Sequence, residues 1–143
     1  MARALSSETL HATSVAIGGR AVLLAGPSGV GKSDLALRLI DRGAILVSDD
    51  YTLVKRVDGQ LIATAPDTIV GQMEVRGLGI VAMPHADAPV ALVADLFDKV
   101  DRMPLDPVFR AIAGVQIPMV KIAPFEISAA IKVELALRTL APL

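Results

Sequence analysis

Cysteine is absent from the 143-residue chain, and disulfides, thiolate metal sites, iron–sulfur clusters and cysteine nucleophiles go with it. Asparagine is absent too. That removes the guanine-reading Asn-Lys-x-Asp element of GTPases and the Mg²⁺-binding Asn of eukaryotic-type protein kinases. Neither sign of charge is in excess: 14 Lys and Arg face 15 Asp and Glu, a formal net charge of -1. Nucleic acid wants a clustered basic face, so no nucleic-acid partner is expected. Long apolar runs are lacking as well. Stretches free of Asp, Glu, Lys and Arg reach only 11 residues, against the roughly 20 that span a bilayer. Arg3, Arg20 and the apolar AVLLAG supply parts of a signal peptide, but Glu8 interrupts them and a glycine-rich motif stands where cleavage would occur. The expectation is a cytoplasmic protein without a membrane partner.

What is present argues for a folded core. The chain is 53% hydrophobic and 20% charged, outside the range of disordered chains, and its length suits one domain over residues 1–143. TSVAI and AVLLA read as strands joined by Gly18-Gly19, a dipeptide fit for a tight hairpin turn. LALRLI then continues in helical spacing from Ser33 to Asp41, with Gly43 as the stop and Arg38 and Arg42 near the negative end of the dipole. AILV (44–47) reads as a short buried strand. TLVKRV, Asp58-Gly59 and QLIATA form a second hairpin, and VALVADLF (90–97) is a further strand. Residues 101–107 carry two prolines and read as a loop. A closing helix spans Ser128 to Leu140, with Glu134 and Arg138 spaced for an i,i+4 pair and Ile131 and Leu135 on one face. Hairpins mixed with strand–helix–strand units imply an α/β protein with a mixed sheet.

The strongest chemical signal is GPSGVGKS: Gly26, Pro27, Ser28, Gly29, Val30, Gly31, Lys32 and Ser33. It fits G-x-x-x-x-G-K-[ST] in full, with a strand before it and a helix starting on it. Glycines let backbone N–H groups turn toward phosphate oxygens, and the helix N-terminus adds a positive dipole end. Lys32 then reaches the terminal phosphates and the Ser33 hydroxyl binds Mg²⁺. The bland alternative is a glycine-rich turn with an exposed lysine.

Asp49 and Asp50 end the strand after that helix. If this strand packs beside the P-loop strand, its carboxylates reach the phosphate site, where they hold Mg²⁺ through water or take a proton from an attacking hydroxyl. Asp49 is the better placed, and a solvated turn is the alternative. A two-residue turn at Gly18-Gly19 pairs residue 17 with 20, 15 with 22 and 13 with 24, and so sets His11 opposite Gly26. A strand-end histidine without function is the other reading. His85 reads as a loop residue. Glu74 and Arg76 precede a Gly-x-Gly, and Arg102 lies in the proline-flanked loop; taken singly, these are an ion pair and a surface cation.

Together these segments resemble the catalytic domain of the HPr kinase/phosphorylase family. The resemblance rests on LHATSVAIGGRAVLLAGPSGVGKSDLALRLIDRGAILVSDD, on MEVRGLGIVAM, and on KVDRMP followed by IAGVQIPMV, roughly His11 to Ile122. It implies a P-loop core like that of phosphoenolpyruvate carboxykinase, commonly in a hexamer, and phosphorylation of a serine of the phosphocarrier protein HPr with ATP and Mg²⁺. Carried onto this chain, it makes His11 and Lys32 active-site residues and Ser33 and Glu74 the Mg²⁺ ligands. Asp49 becomes the base that takes the serine proton and returns it in reverse, and Arg102 the catalytic loop arginine.

The sequence departs from the family twice. The N-terminal domain of longer members has no counterpart here, so a catalytic-domain-only form is expected. KIAPFEISAA stands where the family usually shows a Pro-Gly-Arg-Asn loop tied to dephosphorylation, so weak phosphorylase activity is expected. Two other functions fit the P-loop: a small-molecule kinase, which the absence of an arginine-rich lid disfavours, and a nucleotide sensor, which has no need of Asp49.

Overall fold

The computed structural model describes residues 6–103 and 106–142; Arg3, from the signal-peptide comparison, and Pro104, from the expected loop, lie outside them. In chain order the elements are β1 Ser7–Leu10, β2 Ala12–Ile17, β3 Arg20–Ala25, α1 Lys32–Asp41, β4 Ile45–Ser48, β5 Thr52–Val57 and β6 Gln60–Thr64. They continue with β7 Gln72–Val75, β8 Gly79–Ala82, β9 Ala88–Leu96, β10 Val108–Ile112, β11 Val115–Ile122 and α2 Ala129–Leu140. The fold is mixed α/β, as the hairpins implied.

The principal sheet runs β1-β5-β6-β9-β3-β2-β4, with β11 joined to β9 and β10 to β11. β9 is its branch point. One edge lies parallel to β3, while the other pairs antiparallel with β6 at residues 88–89 and parallel with β11 at 93–96. The register against β3 slips between Ala21 and Val22, whose partners are Val90 and Leu92. Such a bulge bends a strand and raises its twist. The β1-β5-β6 end accordingly curls over the sheet face turned away from the helices.

Strand β3 shows why. Val22 and Leu24 enter the core under α1 and α2, while Ala21, Leu23 and Ala25 enter a second core with Val54 and Leu61 of the curled end. A strand buried on both faces is apolar throughout, which is the pattern AVLLA displays.

One expectation about neighbours is corrected. β4 does not lie beside the P-loop strand β3. It pairs antiparallel with β2, which itself pairs antiparallel with β3. The hairpin keeps β2 on that edge, so the strand after the helix must take the next place out. Two reversals leave β4 running the same way as β3, and the C-terminal ends of both point to one rim. The helix pairing is corrected too: Glu134 meets Arg42 at the end of α1, at 2.8 Å, rather than Arg138. The fork of Arg42 takes both carboxylate oxygens; this raises its already high pKa and ties the two helices together. Ile131 and Leu135 share a face, but an exposed one, because α2 buries Ala130, Val133 and Leu137 instead.

Candidate functional site

The rim formed by the ends of β3 and β4 opens into a cleft of about 700 Å³. Part of its lining is the glycine-rich turn between β3 and α1. Gly26, Gly29 and Gly31 all have positive φ, at 146°, 82° and 109°. At Gly26 a side chain would also collide, since a Cβ would lie 2.8 Å from Val30. The backbone can make this turn only with glycine. α1 then begins on Lys32, with Gly31 as its N-cap, and Gly31, Lys32, Ser33 and Asp34 line the cleft.

Lys32 is buried and folded back on the loop, donating to the carbonyls of Gly26 at 2.6 Å and Pro27 at 3.1 Å. Burial lowers its pKa from 10.5, because a desolvated ammonium is disfavoured; the charges of Asp50 and Asp49 oppose the shift. The lysine is thus held by neutral acceptors beside the loop it would serve.

Asp49 organises the opposite wall. It is buried, and three donors converge on it: the Ser33 hydroxyl at 2.7 Å, the Thr13 hydroxyl at 3.2 Å and the backbone N–H of Glu74 at 3.1 Å. β2, β7 and α1 each contribute one. The neighbouring Asp50 adopts φ 68°, a left-handed conformation that Asp tolerates better than most residues. Its N–H donates to Thr13 Oγ1 at 3.0 Å, and its exposed carboxylate lies 2.9 Å from His11 Nε2. One threonine thereby holds both aspartates.

Glu74 arrives on the two-stranded β7–β8 sheet, whose other face plugs the core through Met73. Alternation along β7 therefore turns Glu74 outward, and it lines the cleft with Arg76 and Gly77 of the hairpin tip.

The cleft brings Lys32, Ser33, Asp49 and Glu74 together. His11 is one step removed. The β2–β3 ladder runs in the expected register down to Ala12 with Ala25 and stops there. His11 sits in the bend before β2, stacked on Tyr51 with ring centroids 5.0 Å apart, and touches the site through Asp50. Arg102 is exposed in the bend after β9 and does not line the cleft. His85 bridges to Leu46 in an otherwise irregular segment. Sequence reasoning missed Thr13. Its signal was parity, since Thr13, Val15 and Ile17 alternate onto the face that packs against α1.

A family model described as "HPr Serine kinase C-terminal domain" matches residues 3–86. The HPr kinase/phosphorylase of Clostridium beijerinckii is 50% identical over 82 residues, which are 57% of this chain and 27% of that protein. Its namesake from Clostridium tetani is 47% identical over 81 residues, 56% of this chain and 27% of that one. The aligned stretch is thus about a quarter of these curated relatives. The solved structure of the Hpr(Ser) kinase/phosphatase from Coxiella burnetii superposes with a TM-score of 0.77 at 31% identity, covering 93% of this chain and 95% of that one.

Proposed function

Since the chain belongs to the family of the HPr serine kinase C-terminal domain, we propose that it transfers the terminal phosphoryl group of ATP to a serine of HPr. The observation that carries this reading is the buried carboxylate of Asp49, held by three donors against the Ser33 hydroxyl of the P-loop. A carboxylate offers about four lone-pair positions, so three donors leave one for an incoming hydroxyl. A binding module without transfer has no use for that arrangement.

In the forward step the serine oxygen forms a bond to the γ-phosphorus and the bond to the leaving diphosphate breaks. Asp49 takes the serine proton. Lys32 leaves the carbonyls of Gly26 and Pro27 for the phosphate oxygens, where charge accumulates in the transition state. The loop's inward N–H groups and the start of α1 hold the remaining phosphates.

The residues fit Mg²⁺. Ser33 and Glu74 line one cleft with Asp49 and offer only oxygen ligands, the donor set a hard cation prefers. Among the described residues no three His or carboxylate groups form a cage of their own. That matches Mg²⁺, which keeps waters and leans on substrate phosphates. When bound, the ion would neutralise phosphate charge.

Further roles rest on the family. His11 would orient Asp50 beside the acceptor. Arg102 would come to the transferring group from its bend, since six extended residues beyond Leu96 reach up to roughly 20 Å. A cytoplasmic homo-oligomer, a hexamer by the same likeness, is the assembly proposed. The test is incubation with γ-labelled ATP, Mg²⁺ and HPr, beside HPr whose target serine is replaced by alanine. Label on the first alone is expected; label on neither, or on both equally, would overturn the reading.

A further inference from the structure

Beside the P-loop, on the side away from Asp49, stands a conspicuously exposed aromatic ring. Phe125 is 69% exposed in a chain with three Phe, one Tyr and no Trp. It is not loosely placed. A Cβ on Gly31 would lie 3.1 Å from its Cζ and 3.3 Å from its Cε1, so the distal edge of the ring abuts the last glycine before Lys32. The segment carrying it is anchored at both ends. Arg38 of α1 donates to the carbonyls of Pro124 and Glu126, and Glu126 meets Lys132 of α2 at 3.0 Å.

The helix α1 separates two approaches to its own N-terminus. Ser33 faces Asp49, whereas Gly31 and Arg38, a row further round, carry the 124–126 segment. Phosphate transfer belongs to the Asp49 side. The rest of a nucleotide must then leave the P-loop elsewhere, and the same cleft continues past Asp34 and Leu37 to Phe125. The distal edge of the ring rests on the loop and the rest of it is open. An open aromatic surface in water gains by stacking on another flat π-system, and every nucleobase supplies one.

We propose that Phe125 is the stacking platform for the base of the nucleotide whose phosphates the P-loop holds. The assignment rests on the phosphate-binding reading given above and adds to it where the base lies. Stacking alone discriminates weakly between bases, so ATP and GTP use the platform alike. Gly31 then has two duties: its φ of 109° makes the turn, and its missing side chain lets the ring come close.

The test compares wild type, Phe125→Ala and Phe125→Trp for binding of ATP, GTP and inorganic tripolyphosphate, which has no base. Phe125→Ala should weaken ATP and GTP by roughly 10- to 100-fold and leave tripolyphosphate within about two-fold. Phe125→Trp should restore both nucleotides, and as the sole Trp its fluorescence should be quenched by ATP and not by tripolyphosphate. Equal ATP affinity in wild type and Phe125→Ala would overturn the platform while leaving the phosphate site intact. So would parallel loss of ATP and tripolyphosphate, which would mean that the ring supports the loop. Wild-type protein binding no tripolyphosphate would instead overturn the phosphate-site reading, and the platform with it.

Discussion

The two walls of the cleft are built by opposite means. On the Asp49 wall, polar groups are buried and satisfied internally: Thr13, Ser33 and the Glu74 amide converge on one carboxylate, and Thr52 joins Ser14 to the carbonyl of Ala12 behind them. On the other wall the side chain is apolar and largely open: Phe125 lines the cleft at 69% exposure, with one ring edge on Gly31. A wall that handles developing charge has to be arranged before the substrate comes, because reorientation during reaction costs rate. A wall that receives a flat base needs only an accessible surface. If both proposals hold, chemistry and recognition are divided between two sides of one helix N-terminus.

The largest effect should come from Lys32→Ala, which removes the charge proposed to reach the phosphates: phosphoryl transfer to HPr should fall to background while the protein still folds. Retained activity would break the comparison at once. Next in size is the reverse reaction. Phosphorolysis must bring phosphate against a phosphoserine, and among the described residues the Phe125 side of the cleft is lined by a ring and no cation, the nearby Glu126 being paired with Lys132 at 3.0 Å. Lys121 is no substitute for a guanidinium fork, being spent on the face of Phe97 at 5.1 Å. Phosphate-dependent dephosphorylation of serine-phosphorylated HPr should run at least ten-fold slower than the forward rate on one preparation, by the reach of a single lost anion contact. Equal rates would show that another part of the chain holds the incoming phosphate.

These walls were not equally legible in the sequence. The P-loop and the hairpin before it are local patterns, since Gly18-Gly19 fixes a register that runs six pairs from Ile17 with Arg20 to Ala12 with Ala25. The place of β4 was not legible, because strand order is set by which edge the hairpin leaves open. β10 and β11 escaped notice for a different reason. Val108 to Ala111 are exposed, and Pro118 interrupts β11. That proline is tolerated because β9 pairs only with Met119 onward. Thr13 and the Glu74 amide were hidden because a hydroxyl and a peptide N–H carry no motif. Glu134 found Arg42 because a helix packed alongside offers a closer fork than the next turn.

Smaller effects sharpen the account of the polar wall. Thr13→Val keeps the shape and deletes the hydroxyl that Asp49 and the Asp50 amide share. The loss should cost about 1–3 kcal/mol, seen as a melting point lower by several degrees. Turnover should drop by roughly ten-fold. Thr13→Ser should recover both, and a neutral Thr13→Val would show that Asp49 needs no such support.

The pH effect is smaller still. Lys32 has a folded-state pKa below 10.5, so the unfolded chain holds this proton more tightly. Stability therefore gains a rising contribution as pH climbs through the window between the lowered value and 10.5, and Lys32→Met should lack it in melts across that range. Tripolyphosphate affinity of wild type should weaken over the same window as the charge is lost. A flat profile would mean that Lys32 titrates like an exposed lysine.

The most direct measurement is Asp49→Asn, assayed in parallel for ATP binding and for transfer to HPr. The amide keeps the size of the carboxylate but cannot take a proton. Turnover should fall by about 10²–10⁴-fold while ATP affinity holds or tightens, since a negative charge near the phosphates is gone. Wild-type turnover, or a collapse of ATP affinity that accounts for the lost activity, would contradict the role of Asp49 as the base.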